Sequence, residues 1–150
     1  NFPQVIEYCK NVKRKDKDTW INSIIINTYI ELNKINKCHS VECYENEKLI
    51  GGLYGVHLGS CFFGESMFSL KKNTSKYCLL YLLSILKKNN FKLLDSQFFN
   101  YHLLQFGAYE IETESYEKKL EESLKVKSNF KNLKNFQESL SLIQSSNQRS

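Results

Sequence analysis

"GGLYGVHLGSCFFGESMFS", residues 51–69, holds five of the chain's six glycines and one carboxylate, Glu65, set among apolar and aromatic residues. A charge in such surroundings costs free energy unless a partner or a function offsets it. The alternation on either side of "HLGS" predicts two strands, Leu49–Val56 and Cys61–Met67, joined by a tight turn. Upstream, Val41–Tyr44 predicts another strand, linked through the polar Glu45-Asn46-Glu47. The stretch therefore reads as the centre of a three-stranded meander.

Helices are predicted around it. Asp18 is positioned to cap a helix over Thr19–Asn33, with Ile21, Ile24, Ile25, Thr28 and Leu32 on one face. Phe2, Val5 and Ile6 mark a shorter helix at 1–9, and "KNVKRKDKD" (10–18) reads as a charged loop. Asn73 or Thr74 caps a helix over Ser75–Lys88, whose inner stripe is Leu79, Leu82, Leu83 and Leu86. "FKLLDSQFF" (91–99) reads as a strand, "NYHLLQFGA" as a short helix and turn, Ile111 as an edge, and Ser115–Val126 as a helix. Residues 128–150 form a polar tail with helical spacing that frays at its end. This order predicts an α/β fold, an α+β mixed sheet, resembling the GNAT-like acyl-CoA N-acyltransferase fold. The loop that carries a Gly-rich pyrophosphate cradle in that fold reads "SLKKNTSK" here, without glycine, so coenzyme A is not supported and no cofactor is expected.

The length suits one domain, taken as 1–127 with 128–150 as the tail. A net charge of +5 permits an anionic partner without requiring one. Five cysteines, an odd number with no CxxC pair, argue against a zinc site or disulfide framework and for buried thiols. No apolar run reaches the roughly 20 residues of a membrane span, and no signal peptide opens the chain, so a cytoplasmic protein without metal or membrane partner is expected. The start "NFPQVIEYC" reads as the interior of a longer protein.

Side chains two apart on a strand share a face. Glu65, Met67 and Ser69 are thus expected to point one way, as are Asp95 and Gln97, making a small polar site on neighbouring strands. A structural alternative stays open, in which Asp95 and Gln97 only tie down nearby backbone donors. Trp20, Cys9 and Cys78 read as core, His39 and His102 as structural, and His57 as solvent-facing.

"HSVECYENEKLIGGLYGVHLGSCFFGESMFS", then "NTSK", "LLDSQ" and "HLLQFGA", with "TWI" at 19–21, resembles the leucyl/phenylalanyl-tRNA–protein transferase family. The resemblance spans residues 5 to about 120. It implies an enzyme of the N-degron pathway that takes an amino acid from aminoacyl-tRNA and transfers it to the N-terminal α-amine of a protein, marking it for degradation. It also implies a GNAT-like catalytic domain, here without the family's smaller N-terminal domain. By the same match Asp95 and Gln97 are the catalytic pair, and Glu65 holds the acceptor amine and aminoacyl end. Leu53, Tyr54, Met67 and Ser69 bind substrate, and the glycines give the tRNA terminus a close approach. Lys71, Lys72 and Lys76 are expected to meet phosphates of the tRNA, with further basic clusters at 10–17 and at Lys87, Lys88 and Lys92.

Three positions depart from the family pattern. Leu70 stands where Arg is usual, Ser96 where Cys is common, and "EIET" (110–113) where "EIPR" is frequent. The two losses of basic charge, at Leu70 and in "EIET", leave open a divergent specificity, such as arginyl transfer to N-terminal Asp or Glu. An ordinary N-acetyltransferase and a non-catalytic tRNA- or N-terminus-binding module are the competing readings.

Overall fold

A computed structural model describes residues 1–12, 19–98 and 101–147. Its elements run α1 (Phe2–Asn11), α2 (Ser23–Lys34), β1 (Cys38–Glu45), β2 (Lys48–Leu58), β3 (Cys61–Ser69), α3 (Thr74–Lys88), β4 (Leu93–Asp95), α4 (Tyr101–Leu104), α5 (Thr113–Leu124) and α6 (Phe136–Asn147). The strands form one mixed sheet in the order β1-β2-β3-β4. β1 and β2 are antiparallel, with Val41 opposite Leu53 and Cys38 opposite Val56. Their turn has positive φ at both Asn46 and Glu47, the backbone a two-residue hairpin needs to match strand twist. β4 joins β3 in parallel, pairing Phe63 with Asp95. The mixed α and β architecture expected from the sequence is therefore present.

The chain divides into two compact units. One comprises residues 1–56 and 65–79, the other 57–64 and 80–150. In the first, Val5, Ile6, Cys9, Ile21, Ile26, Cys38, Tyr54 and Phe68 form the core. The Phe68 ring stacks on Tyr8 at 4.9 Å, worth about 1 kcal/mol beyond burial. Gly51 is required by packing: a Cβ there would lie 2.4 Å from Thr74 Oγ1. Gly52 similarly makes room for the Phe68 ring. Both glycines thus serve internal contacts of the domain.

In the second unit Phe62 stacks on Phe130 at 5.6 Å, and Phe91 meets both rings edge-on. Ser123 O accepts hydrogen bonds from Ser60 N (2.8 Å) and Ser60 Oγ (2.9 Å), tying the last turn of α5 to the β2–β3 turn. Gly59 sits there at φ +59°, where a Cβ would meet Ser123 O at 2.6 Å. The C-terminal segment packs closely: Ser139 of α6 hydrogen-bonds Ser84 at 3.0 Å, both buried, and Leu133 is buried.

Several expectations are corrected. α2 begins at Ser23, because Asn22 supplies the cap by accepting from Ile25 N at 3.0 Å; Asp18 lies outside the described residues. Ile26 is buried and Ile24 is exposed, so the inner face is rotated from the expected one. Trp20 is substantially exposed, whereas His57 is buried against Phe91. His39, Cys9 and Cys78 are buried as expected, and the side chain of His102 lies outside the described residues. Ile111 lies in no strand, and the strand expected over 91–99 is only Leu93–Asp95.

Candidate active site

The brevity of β4 follows from the chemistry of Asp95. Its Oδ1 accepts the main-chain N–H of Gln97 at 2.7 Å, a local side-chain bond that competes with continuation of the ladder. Gln97 adopts φ +66°, and Phe98 N donates to Ser96 O at 2.8 Å across it. This is a three-residue turn of the positive-φ kind, rare and strained for a residue with a side chain. Asp95 and Gln97 therefore do not project as strand neighbours two apart. The carboxylate turns back onto the chain, and the Gln97 side chain is exposed.

The second oxygen of Asp95 is also engaged. Tyr116, in the first turns of α5, donates its hydroxyl to Asp95 Oδ2 at 2.7 Å. That bond to a carboxylate, aided by burial, pushes the Tyr116 phenol up to about 12. Burial and the Asp95 charge likewise push the Cys61 thiol up to about 12.

Glu65, in the other unit, meets Tyr29 of α2. Burial first, and then the Glu65 carboxylate beside it, raise the Tyr29 phenol. Tyr54 packs edge-on against Tyr29, ring centroids 5.4 Å apart. Its hydroxyl is the one buried side-chain polar atom among the described residues without a hydrogen-bond partner. Neither Tyr29 nor Tyr116 was singled out by sequence reasoning. A lone tyrosine on a helix carries no local signal, and only tertiary placement gives it a carboxylate partner.

Glu65, Met67 and Ser69 lie two apart on the continuous strand β3, and Glu65 and Ser69 meet different partners. Glu65 turns to α2, whereas Ser69 Oγ accepts the main-chain N–H of Ser75 at 2.9 Å and hydrogen-bonds Thr74 Oγ1 at 3.1 Å. Ser69 thus serves as a cap for α3. Leu53 and Tyr54 are buried within the fold, and Met67 is 41% exposed. Of the expected phosphate-binding lysines, Lys71 is ion-paired with Glu45, and Lys72 is exposed. Thr74 N donates to Lys71 O (3.2 Å), so at least two N–H groups at the start of α3 are already used. A phosphate there would be met chiefly by lysine side chains. Lys87 and Lys88 instead hold α6, donating to Leu142 O and pairing with Glu138. Residues 13–17 of the first basic cluster lie outside the described residues.

No group of three or more His, Cys, Asp or Glu placed to hold a metal occurs among the described residues. None of their helices is long and apolar enough to cross a membrane.

Fold and contacts define a class: a mixed-sheet domain in which a tyrosine-held carboxylate, Asp95, pins an exposed glutamine on a strained turn. The profile of the leucyl/phenylalanyl-tRNA protein transferase family matches residues 1–121, and the chain belongs to that family. It is 45% identical to the leucyl/phenylalanyl-tRNA–protein transferase of Hyphomonas neptunium over 129 residues, 86% of this chain and 50% of that protein. The same figures for the protein of that name from Zymomonas mobilis are 45% over 124 residues, 83% and 46%. For Maricaulis maris they are 42% over 130 residues, 87% and 60%. The chain spans about half the length of the curated relatives it matches.

Proposed function

We propose that this chain carries the catalytic domain of an aminoacyl-tRNA–protein transferase, moving Leu or Phe from charged tRNA to the N-terminal α-amine of a protein in the cytoplasm. The observation that carries this reading is the family match over residues 1–121, which includes every candidate site residue. A GNAT-like arrangement over residues 1–127 is part of the same proposal, and a mixed four-stranded sheet interspersed with helices along the chain supports it.

The chemistry makes modest demands. The aminoacyl ester is already activated. An α-amine has a pKa near ~8, so part of it is neutral at cellular pH. The protein must align amine and ester and receive a proton as the amide bond forms and the tRNA 3′-terminal hydroxyl leaves. Gln97 is not a base by itself. Its amide carbonyl accepts a hydrogen bond from the attacking amine and orients it, while the Asp95 charge beside the turn favours the positive charge that develops on nitrogen. Glu65, beside Tyr29, favours a cationic amine in its own unit. Leu53, Tyr54, Met67 and Ser69 are proposed for the aminoacyl side chain and its surroundings, and Lys71, Lys72 and Lys76 for the tRNA phosphates.

Single-turnover transfer from Leu-tRNA and Phe-tRNA by the full-length protein tests the pair. Asp95→Ala and Gln97→Ala should each lower the rate by about a hundredfold or more. Intact rates in both variants would remove Asp95 and Gln97 from the mechanism.

A further inference from the structure

We propose that Tyr116 is a positioning residue for aminoacyl transfer, fixing through Asp95 the turn that presents Gln97. The inference rests on the function proposed above and extends it to a residue of α5 that the sequence does not mark. A carboxylate rotates readily about its last torsion. The Asp95 group holds Gln97 N only while its plane is fixed, and the second anchor is the Tyr116 hydroxyl at 2.7 Å on the other oxygen. Gln97 needs such support, because its backbone is left-handed and bridged by the Phe98 N to Ser96 O bond. Conformations of this kind persist only where the surroundings over-determine them.

The helix that supplies Tyr116 is itself fixed. Its last turn is anchored by Ser123 O, which accepts from Ser60 N and Oγ. Ser60 O in turn accepts from Lys92 N at 2.8 Å, at the entry to β4. The contacts close a ring from β4 through Asp95, Tyr116, α5, Ser123 and Ser60 back to β4. Tyr116 therefore stands on an element whose position is set by the same turn that starts the Asp95 strand. Its hydroxyl makes the one contact in that ring that reaches the Gln97 turn through a side chain on both sides.

Tyr116→Phe removes only the hydroxyl, and the test reads it in the full-length protein. Single-turnover transfer to a peptide with N-terminal Arg should fall about tenfold to a hundredfold, with donor Kd and acceptor KM within about twofold. Hydrogen exchange at the Gln97 amide, read by NMR, should quicken about tenfold as its acceptor loosens. In an Asp95→Ala background Tyr116→Phe should cost nothing more, because it acts through Asp95. An unchanged Gln97 amide, or losses that add in the double variant, would overturn the proposal. Should the unsubstituted protein transfer nothing to any acceptor, the functional reading fails by itself. The Gln97 amide then still decides whether Tyr116 fixes the turn.

Discussion

Asp95 Oδ1 and the Gln97 main-chain N–H are joined at 2.7 Å, and that bond ends a strand after three residues and turns a glutamine outward. Left-handed backbone costs a residue with a Cβ about 1–2 kcal/mol. Gln97→Gly should therefore leave the thermal midpoint unchanged or slightly raised while transfer is lost. A drop of several degrees in the midpoint would show that the Gln97 side chain supports the fold.

The tyrosine–carboxylate contacts give a stability profile at alkaline pH. Tyr44 and Tyr116 are each pushed up to about 12, by hydrogen bonds to Glu42 and Asp95 respectively. A folded pKa above the unfolded value of about 10 contributes stability that is complete below that pH and lost as pH rises through the folded value. Denaturant midpoints should hold up to pH 10 and fall towards pH 12. The fall should be shallower in the Tyr44→Phe, Tyr116→Phe double variant, and an equal slope would contradict the assignment.

Thiol chemistry reports the core. Cys38, Cys61 and Cys78 are pushed up to about 12, burial being the first cause in each, and Cys9 is buried too. Thiolate is the reactive form. At pH 8 the native protein should label first at Cys43, the least buried of the five, whose thiol burial and Glu45 also raise, and at all five thiols after unfolding. Rapid native labelling of Cys61 would mean that its surroundings open readily.

The proposed phosphate contacts rest on side chains. Replacing Lys71, Lys72 and Lys76 together by Ala should weaken tRNA binding. The slope of log K against log salt should be reduced by up to about three phosphates' worth, roughly 2–3 units. Loss of the exposed Lys71–Glu45 pair should itself matter little to stability. An unchanged salt slope would place the tRNA path elsewhere.

Much of this architecture is legible in sequence, because turn chemistry and apolar period agree there. Asn46-Glu47 and Gly59-Ser60 mark the two hairpin turns, and Leu79, Leu82 and Leu86 mark the buried side of α3. The α2 start is not, since Asp18 and Asn22 are both good caps and only tertiary packing selects one. "LLDSQFF" alternates like a strand, yet the Asp95 side chain takes the Gln97 N–H and ends the ladder. The tail packs through Ser139 on Ser84, a polar contact that hydrophobic pattern does not reveal. Of the candidate site, Asp95, Gln97 and Glu65 follow from motif resemblance, whereas their tyrosine partners arise from long-range folding.

The most direct measurement is a matrix of single-turnover reactions by the full-length protein. Leu-, Phe- and Arg-charged tRNAs are each offered to peptides beginning with Arg, Lys, Asp or Glu, alongside Gln97→Ala. Amide formation from Leu- or Phe-tRNA onto N-terminal Arg or Lys, lost in Gln97→Ala, is the predicted result. Transfer to none of these peptides by a folded protein that binds charged tRNA would contradict it.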